Sequence, residues 1–432
     1  VRAWSTELRE YAGRDVALAG WLHHWRRLGQ IGFLILRDGR GLAQVVVEDP
    51  EVCARIDGLK RESVLRVRGE VHLSARAPGG VELHAPTIEI LVAPPAVPPL
   101  DLSRPHLAAA PALVLDHAPV ALRHPRRRAP FEIASASMAG FRAALRARGF
   151  VEIQTPKVVG TATESGASVF SVDYFGRPAF LAQSPQFYKQ IMVGVFERVF
   201  EVGPVFRAEP HDTPRHLNEY VSMDAEFGFI DDHTTVMALL AEVVRGMVTA
   251  VATEAPDAVA RLGVRLPAVP PSIPAIHFTR ALEIAEPRAG QSGAEMSDLT
   301  PQHERGLGEW ARETHGSDFL FVVGFPMSKR PFYTHPDPRR PGYSNSFDLL
   351  FRGTELVTGG QRLHLYEDYM SALGRRNLSP APLAGYLEAF RHGMPPHGGF
   401  AIGLERWVAG LVGAANVREV TLFPRDQQRL AP

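Results

Sequence analysis

The chain has 432 residues, 45% of them hydrophobic and 22% charged, and its 47 basic residues are balanced by 47 acidic ones. That composition is too apolar for a disordered chain and long enough for two or three packed domains. Zero net charge withholds the whole-chain basic footprint of a general nucleic-acid binder, though a local patch stays open. A lone cysteine, Cys53, excludes an intrachain disulfide framework and a cysteine-rich metal site, and reads as a small buried residue in a reducing compartment.

The opening VRAWSTELREYAGRD carries no apolar stretch of export-signal type, and no run of roughly 18 apolar residues occurs, so a cytoplasmic chain away from membranes is expected. Residues 1–93 are β-rich. DVALAGWLHHW, GFLILRD, LAQVVVED, SVLRVRGEVHL and VELHAPTIEILV alternate or run apolar over strand lengths, parted by the turn signals RDGRG and APGG. Five such strands predict a small closed barrel of OB-fold type, a fold that often binds oligonucleotides on one face; a structural or protein-binding barrel is the alternative. Phe33 and Gln44, on adjacent strands, suit stacking on and hydrogen-bonding to a base, and Arg26 and Arg27 suit phosphate contacts. Residues 94–125 form a proline-rich hinge, most crowded over PPAVPPLDLSRPHLAAAPA, where proline disfavours helix and sheet.

From 126 to 432 helices alternate with antiparallel-looking strands, giving an α+β second domain. ASASMAGFRAALRARG has helical spacing. RVFEVGPVFRAE and EYVSMDAEFGFI alternate with period two, which puts Glu201, Arg207 and Glu209 on one face and Asp224 and Glu226 on one face of the partner strand. So many charges on an otherwise apolar sheet predict the floor of a polar pocket, with a solvated hairpin as the alternative. The intervening loop carries Arg215 and His216, suited to an anionic ligand. In SFDLLFRGTELVTGGQR, a two-residue turn at Arg352-Gly353 would place Leu350 opposite Glu355 and Asp348 diagonally about 7 Å away. Such a carboxylate pair can share Mg²⁺ together with substrate phosphates, or be a plain surface acidic pair. HGGFAIGLERWV then brings glycines where backbone approaches a ligand, and Glu405 and Arg406 where a helix begins. Only Lys60, Lys157, Lys189 and Lys329 are lysines, so a lysine in a polar pocket needs a reason.

Taken in order, a helix with GFVEIQTP, then FRAE with RHLNEYVSMDAEF, then GGFAIGLER resemble the three motifs of class II aminoacyl-tRNA synthetases. QSPQFYKQ, TATESGA, SFDLLFRG with the later TGGQR, and LFPRDQQRLAP are similar to the aspartyl branch. The interval between Phe227 and Gly398 leaves no room for the extra domain of bacterial aspartyl enzymes, so the short archaeal-type form is implied. The resemblance implies ATP and Mg²⁺ with the following roles. Arg207 and Arg406 would be catalytic. Glu164, Gln186, Lys189, Arg207, Asp224, Thr358 and Arg362 would bind L-aspartate. Arg207, Glu209, Arg215, His216, Leu217, Tyr220, Glu355, Gly403, Leu404, Glu405 and Arg406 would bind ATP, with the adenine between Tyr220 and Arg406. Asp348, Glu355 and Thr358 would hold the metal.

Asparagine would offer Lys189 and Arg362 an amide in place of a carboxylate and leave two cations under-compensated, and asparaginyl relatives are expected to lack a lysine at the position of Lys189. In the barrel, Arg26, Phe33 and Gln44 match anticodon contacts. His23 with Pro78 resembles the relaxed type that charges both tRNA(Asp) and tRNA(Asn), the second product passing to an amidotransferase. A homodimer is implied, and the arginines of RHPRRRAP suit either tRNA phosphates or a partner subunit. Competing readings are a strictly discriminating aspartyl enzyme, an asparaginyl enzyme, a paralogue that makes aspartyl-adenylate without tRNA, and a non-catalytic nucleic-acid binder. The retained pocket charges and the whole barrel weigh against the last two.

Overall fold

The five apolar alternations in the first 93 residues each put one face inward, and a closed barrel is the arrangement that buries all of those faces while leaving no free edge. The computed structural model describes residues 2–161, 169–210, 212–289 and 298–431. Glu164 lies outside the described residues. Two compact units divide at Arg128/Ala129.

In the first unit, β1 (Asp15–Leu28), β2 (Ile31–Arg37), β3 (Leu42–Val47), β4 (Val64–Leu73) and β5 (Val81–Val92) close in the order β1-β2-β3-β5-β4. The β3–β5 seam is parallel and the other pairs are antiparallel. Leu18, Leu34, Val45, Leu65, Val67 and Leu83 fill the interior. The RDGRG turn is fastened by Asp38, whose carboxylate accepts from the backbone N of Ser5, Arg40 and Gly41. The APGG turn is met by Gly79 and Gly80, both at positive φ.

One helix in this unit was not foreseen: α1 (Pro50–Asp57), capped by Asp49 and started by Pro50, a signal legible in EDPE. The proline-rich stretch is also less extended than expected. It contains α2 (Pro111–Asp116) and α3 (Ala118–Ala121), each with proline in its first turn, where a missing N–H costs nothing. Leu100, Leu102, Val114 and Ala121 give it a small core of its own.

The second unit is built on an eight-stranded sheet. Its elements in chain order are α4 (Pro125–Arg146), β6 (Val151–Glu152), β7 (Val158–Val159), β8 (Ser171–Tyr174), β9 (Arg177–Leu181), α5 (Gln186–Phe196), β10 (Arg198–Phe206), β11 (Glu219–Gly228), α6 (His233–Glu254), α7 (Pro256–Leu262), β12 (Ala275–His277), α8 (Phe278–Ala289), α9 (Pro301–His315), β13 (Phe319–Val323), β14 (Ser346–Phe351), β15 (Thr354–Gln361), α10 (Tyr366–Arg375), α11 (Ala384–Arg391), β16 (His397–Gly403) and α12 (Leu404–Val412). The sheet order is β12-β13-β14-β15-β16-β11-β10-β6, and β7, β9 and β8 form a separate three-stranded sheet. The large sheet is antiparallel except at its two ends, where β12–β13 and β10–β6 are parallel. Within RHPRRRAP, α4 begins at Pro125.

By length and composition α6 could span a membrane, yet Val236, Leu240, Val243, Val244, Met247 and Val251 are buried in the main core, and the helix contacts β15 and β16. With α4 and α12 it covers one side of the sheet core, leaving polar side chains of β11 and β15, with Ala401 and Gly403 of β16, to line a cleft.

Candidate active site

Charge organises the deep end of this cleft, which has a volume of about 310 Å³. On β11 the period-two pattern holds, and Asp224 and Glu226 share a face with side chains 2% and 0% exposed. Lys189, one turn into α5, reaches them, with Nζ 2.9 Å from Asp224 Oδ1, 3.3 Å from Glu226 Oε2 and 3.4 Å from the Phe400 carbonyl. Arg362 follows β15 and donates to both Glu226 oxygens, at 2.9 and 3.4 Å, and to the Gly399 carbonyl at 3.1 Å. A Cβ at position 399 would collide with the Glu226 carboxylate, which is why that strand carries glycine there. Burial alone would raise the Glu226 carboxyl, but Arg362 and then Lys189 outweigh it and hold it below its ordinary range. The deep end thus carries two cations and two carboxylates. Both cations are already paired without a ligand, in keeping with the cost of unpaired charge at this depth. Gln186 lines the same space, and its Nε2 has no hydrogen-bond partner among the described residues.

Toward the mouth, the β10–β11 ladder ends at Phe206 opposite Glu219. Arg207 keeps one more rung to the Asn218 carbonyl, while Glu209 lies in the loop, so the period-two argument reaches Arg207 and stops short of Glu209. Glu201, predicted on the same face, does not line the cleft; it accepts from Lys157 at 2.6 Å and from Thr155. Arg207 lies over the Tyr220 ring at 5.6 Å and 3.9 Å from Glu209, with His216 3.8 Å from Glu209. Arg406 stands instead beside Glu355, donating to its carbonyl at 3.1 Å. Arg215 donates to Glu304 Oε2 at 2.9 Å, and the same oxygen takes the Glu355 backbone N at 2.8 Å. Gly403 and Glu405 line the cleft. Leu404 does not, and it packs in the main core; Leu217 touches both. Glu405 accepts twice from the Val221 backbone N, and burial pushes its carboxyl up to about 7.

The metal candidates meet differently from the sequence prediction. Arg352-Gly353 is a two-residue turn, at φ 49° and 74°, and Leu350 does face Glu355. A bulge between Leu349 and Leu350 then slides the register, so Asp348 faces Thr358 directly instead of lying diagonal to Glu355. Thr358 Oγ1 donates to Glu355 Oε1 at 3.2 Å. Asp348 is buried against Arg330 at 2.9 Å and does not line the cleft. Burial pushes it up to about 7, with Arg330 opposing and Glu355 adding to the rise. Among the described residues no group of three or more His, Cys, Asp or Glu could hold a metal unaided. The set nevertheless fits Mg²⁺, a hard ion that needs one or two carboxylates and takes its remaining oxygens from water and phosphates. Glu355, with the Thr358 hydroxyl 3.2 Å from it, presents the carboxylate that faces the cleft.

Sequence reasoning passed over Arg330 and Glu304, which lie in a loop and on a helix without periodic signal. It gave Glu226 a face but no role, although two buried cations demanded two counter-ions.

In the barrel, Phe33 and Gln44 are diagonal neighbours across β2–β3. The Arg26 guanidinium covers the half-buried Phe33 ring at 5.0 Å, and Gln44 Nε2 donates to Glu82 at 2.8 Å. Pro78 is exposed on the β4–β5 turn. His23 is not on the open face: it sits at a bulge in β1, only 6% exposed, beside the buried Arg37–Glu62 pair. Burial, then Arg37, pushes its imidazole down to about 4, so it is neutral near pH 7.

Residues 16–91 match the OB-fold nucleic acid binding family, and residues 111–427 match the family described as tRNA synthetases class II (D, K and N). The aspartate–tRNA(Asp/Asn) ligase of Thermus thermophilus is 45% identical over 435 residues, spanning 100% of both chains. That of Archaeoglobus fulgidus is 40% identical over 438 residues, again 100% of both. Among solved structures, asparaginyl-tRNA synthetase from Pyrococcus horikoshii with asparaginyl-adenylate superposes at TM-score 0.92 and 30% identity, covering 100% of both chains. Aspartyl tRNA synthetase from Entamoeba histolytica gives 0.88 and 29%, covering 100% of this chain and 93% of that one.

Proposed function

The chain belongs to the class II tRNA synthetases (D, K and N), and from that premise we propose that it joins L-aspartate to both tRNA(Asp) and tRNA(Asn) through aspartyl-adenylate. The observation that carries the choice of amino acid is the charge count at the deep end. An incoming α-ammonium takes Asp224, which leaves Lys189 and Arg362 against Glu226 with one net positive charge. A side-chain carboxylate neutralises that charge. The amide of asparagine does not, and it leaves a cation unbalanced in a dry pocket. Structural likeness to an asparaginyl enzyme supports the rival reading, and this charge count opposes it.

In the first step an oxygen of the aspartate α-carboxylate attacks the α-phosphorus of ATP and pyrophosphate leaves. Arg207 bridges the two reacting groups and balances the charge that builds on the phosphoryl oxygens. Tyr220 and Arg406 would hold the adenine faces and Glu209 its amino group, while Arg215 and His216 meet the outer phosphates. Glu355, with Asp348 and Thr358 behind it, would hold Mg²⁺, which supplies neutralisation of phosphate charge. In the second step the 3′-hydroxyl of the terminal tRNA adenosine attacks the acyl carbon and AMP leaves. Positioning and electrostatics suffice for the first step, with no general base required.

Arg26, Phe33 and Gln44 would contact the anticodon, and His23 and Pro78 would set its tolerance. The naming of the Thermus and Archaeoglobus relatives supports dual tRNA use. The product on tRNA(Asn) would need an amidating partner, and a cytoplasmic homodimer completes the proposal. The test loads labelled aspartate and labelled asparagine onto pure tRNA(Asp) and tRNA(Asn) transcripts. Aspartate on both is expected. Asparagine on either would overturn the charge argument, and aspartate on tRNA(Asp) alone would remove the dual specificity.

A further inference from the structure

Behind the two cations lies a buried polar network that none of the roles above uses. Gln190 follows Lys189 on α5, and its side chain points the other way, into the core between α10, α11 and β16. Its Nε2 lies 3.1 Å from His397 Nε2 and 3.3 Å from the Tyr369 hydroxyl, and its Oε1 lies 2.8 Å from the Tyr386 hydroxyl. The two tyrosine hydroxyls are 2.9 Å apart. His397 Nδ1 faces the Pro395 carbonyl at 2.9 Å and so carries the proton, which makes Nε2 an acceptor and fixes the Gln190 amide with its NH₂ toward the ring. Tyr369 donates to the Leu363 carbonyl at 3.0 Å. The residue before Leu363 is Arg362, whose backbone N donates to the His397 carbonyl at 2.9 Å.

The network therefore joins the backbone of one specificity cation to that of the other. It starts one residue from Lys189 and ends on both sides of Arg362. Four buried polar side chains in a core are expensive unless each is satisfied, and a satisfied network fixes one arrangement where apolar packing tolerates several. Burial also keeps His397 neutral, with its ring pushed down to about 4, so the linkage holds at working pH.

We propose that Gln190, His397, Tyr369 and Tyr386 are positioning residues that set the distance and aim of Lys189 and Arg362, and thereby the affinity for the aspartate side chain. The inference rests on the proposed role of those two cations.

Tyr386→Phe tests it in the full-length enzyme by ATP–pyrophosphate exchange. Loss of the shared hydroxyl is expected to raise the KM for aspartate about tenfold, with the KM for ATP and the saturated rate each changed less than about twofold. Tyr366→Phe, a hydroxyl deletion on the neighbouring α10, where the Tyr366 hydroxyl accepts from the exposed Arg391, serves as control and should move neither constant. Tyr369→Phe is the second variant should Tyr386→Phe fail to fold. A merely structural role predicts a lower Tm with both KM values unchanged or shifted together, and that result overturns the proposal. If Lys189→Met leaves the KM for aspartate unchanged, the underlying reading of the site fails instead.

Discussion

The barrel and the synthetase sheet handle charge in opposite ways. In the sheet, the four ionised groups at the deep end are at most 8% exposed and answer one another within 3.4 Å, so the cleft is electrically settled before any ligand arrives. On the barrel, the candidate tRNA contacts are more varied: a half-buried aromatic ring under an arginine, a buried amide on a carboxylate, and an exposed ion pair. On the proposed function, a small charged substrate would be sorted by substitution into a balanced set, whereas a nucleic-acid loop would be sorted by stacking and hydrogen bonds. Errors in the first should be severe and errors in the second graded.

The largest test of that contrast is Arg362→Gln, which leaves Glu226 with Lys189 alone. Breaking a buried pair costs about 3–5 kcal/mol, so kcat/KM for aspartate in pyrophosphate exchange should fall about 100- to 1,000-fold or more. Survival of full activity would mean that the settled cleft is not the selector.

Next come two pH profiles of opposite slope. Burial pushes Glu405 up to about 7. The folded chain holds that proton more tightly than the unfolded one, so between about pH 4.5 and 7 wild type should lose stability relative to Glu405→Gln as pH rises, by up to about 3 kcal/mol. His23, pushed down to about 4, does the reverse. Its contribution is present above about pH 6.5 and is lost as pH falls toward about 4, judged against His23→Gln. Denaturant melts of the three proteins across that range would show whether the two units diverge as described.

Phe33→Ala removes a stacking surface worth about 1–3 kcal/mol and should weaken both tRNAs equally, seen in the KM for each transcript. His23→Gln with Pro78→Lys should shift the ratio of the two charging rates about tenfold with little change in the sum. Arg27→Ala, which opens a half-exposed pair with Asp57, should change stability by less than about 1 kcal/mol, measured as Tm.

What the sequence made legible follows from periodicity. The five barrel strands and the β10–β11 hairpin were readable because alternation forces every second side chain to one face, and this found Asp224, Glu226 and Arg207. The same rule failed where the backbone departs from regularity: at the bulge that pairs Asp348 with Thr358, and past Phe206, where Glu209 leaves the ladder. Roles for Lys189, Arg362 and Tyr220 came from motif resemblance and not from spacing. Partners brought in by loops and helices far along the chain, such as Arg330 for Asp348 and Glu304 for Arg215, had no local signature at all. Those pairs are tertiary, set by how the loop at Arg330 and helix α9 fold back on the sheet.

The ready-paired ions of the deep cleft also govern how the protein meets its medium. Aspartate would exchange one set of close neighbours for another among side chains at most 8% exposed, so its affinity should change little with ionic strength. A tRNA bound partly through its phosphates would shed counterions on binding and should dissociate steeply as salt rises. Added salt should therefore act on this protein as a selective uncoupler, slowing transfer to tRNA well before adenylate formation.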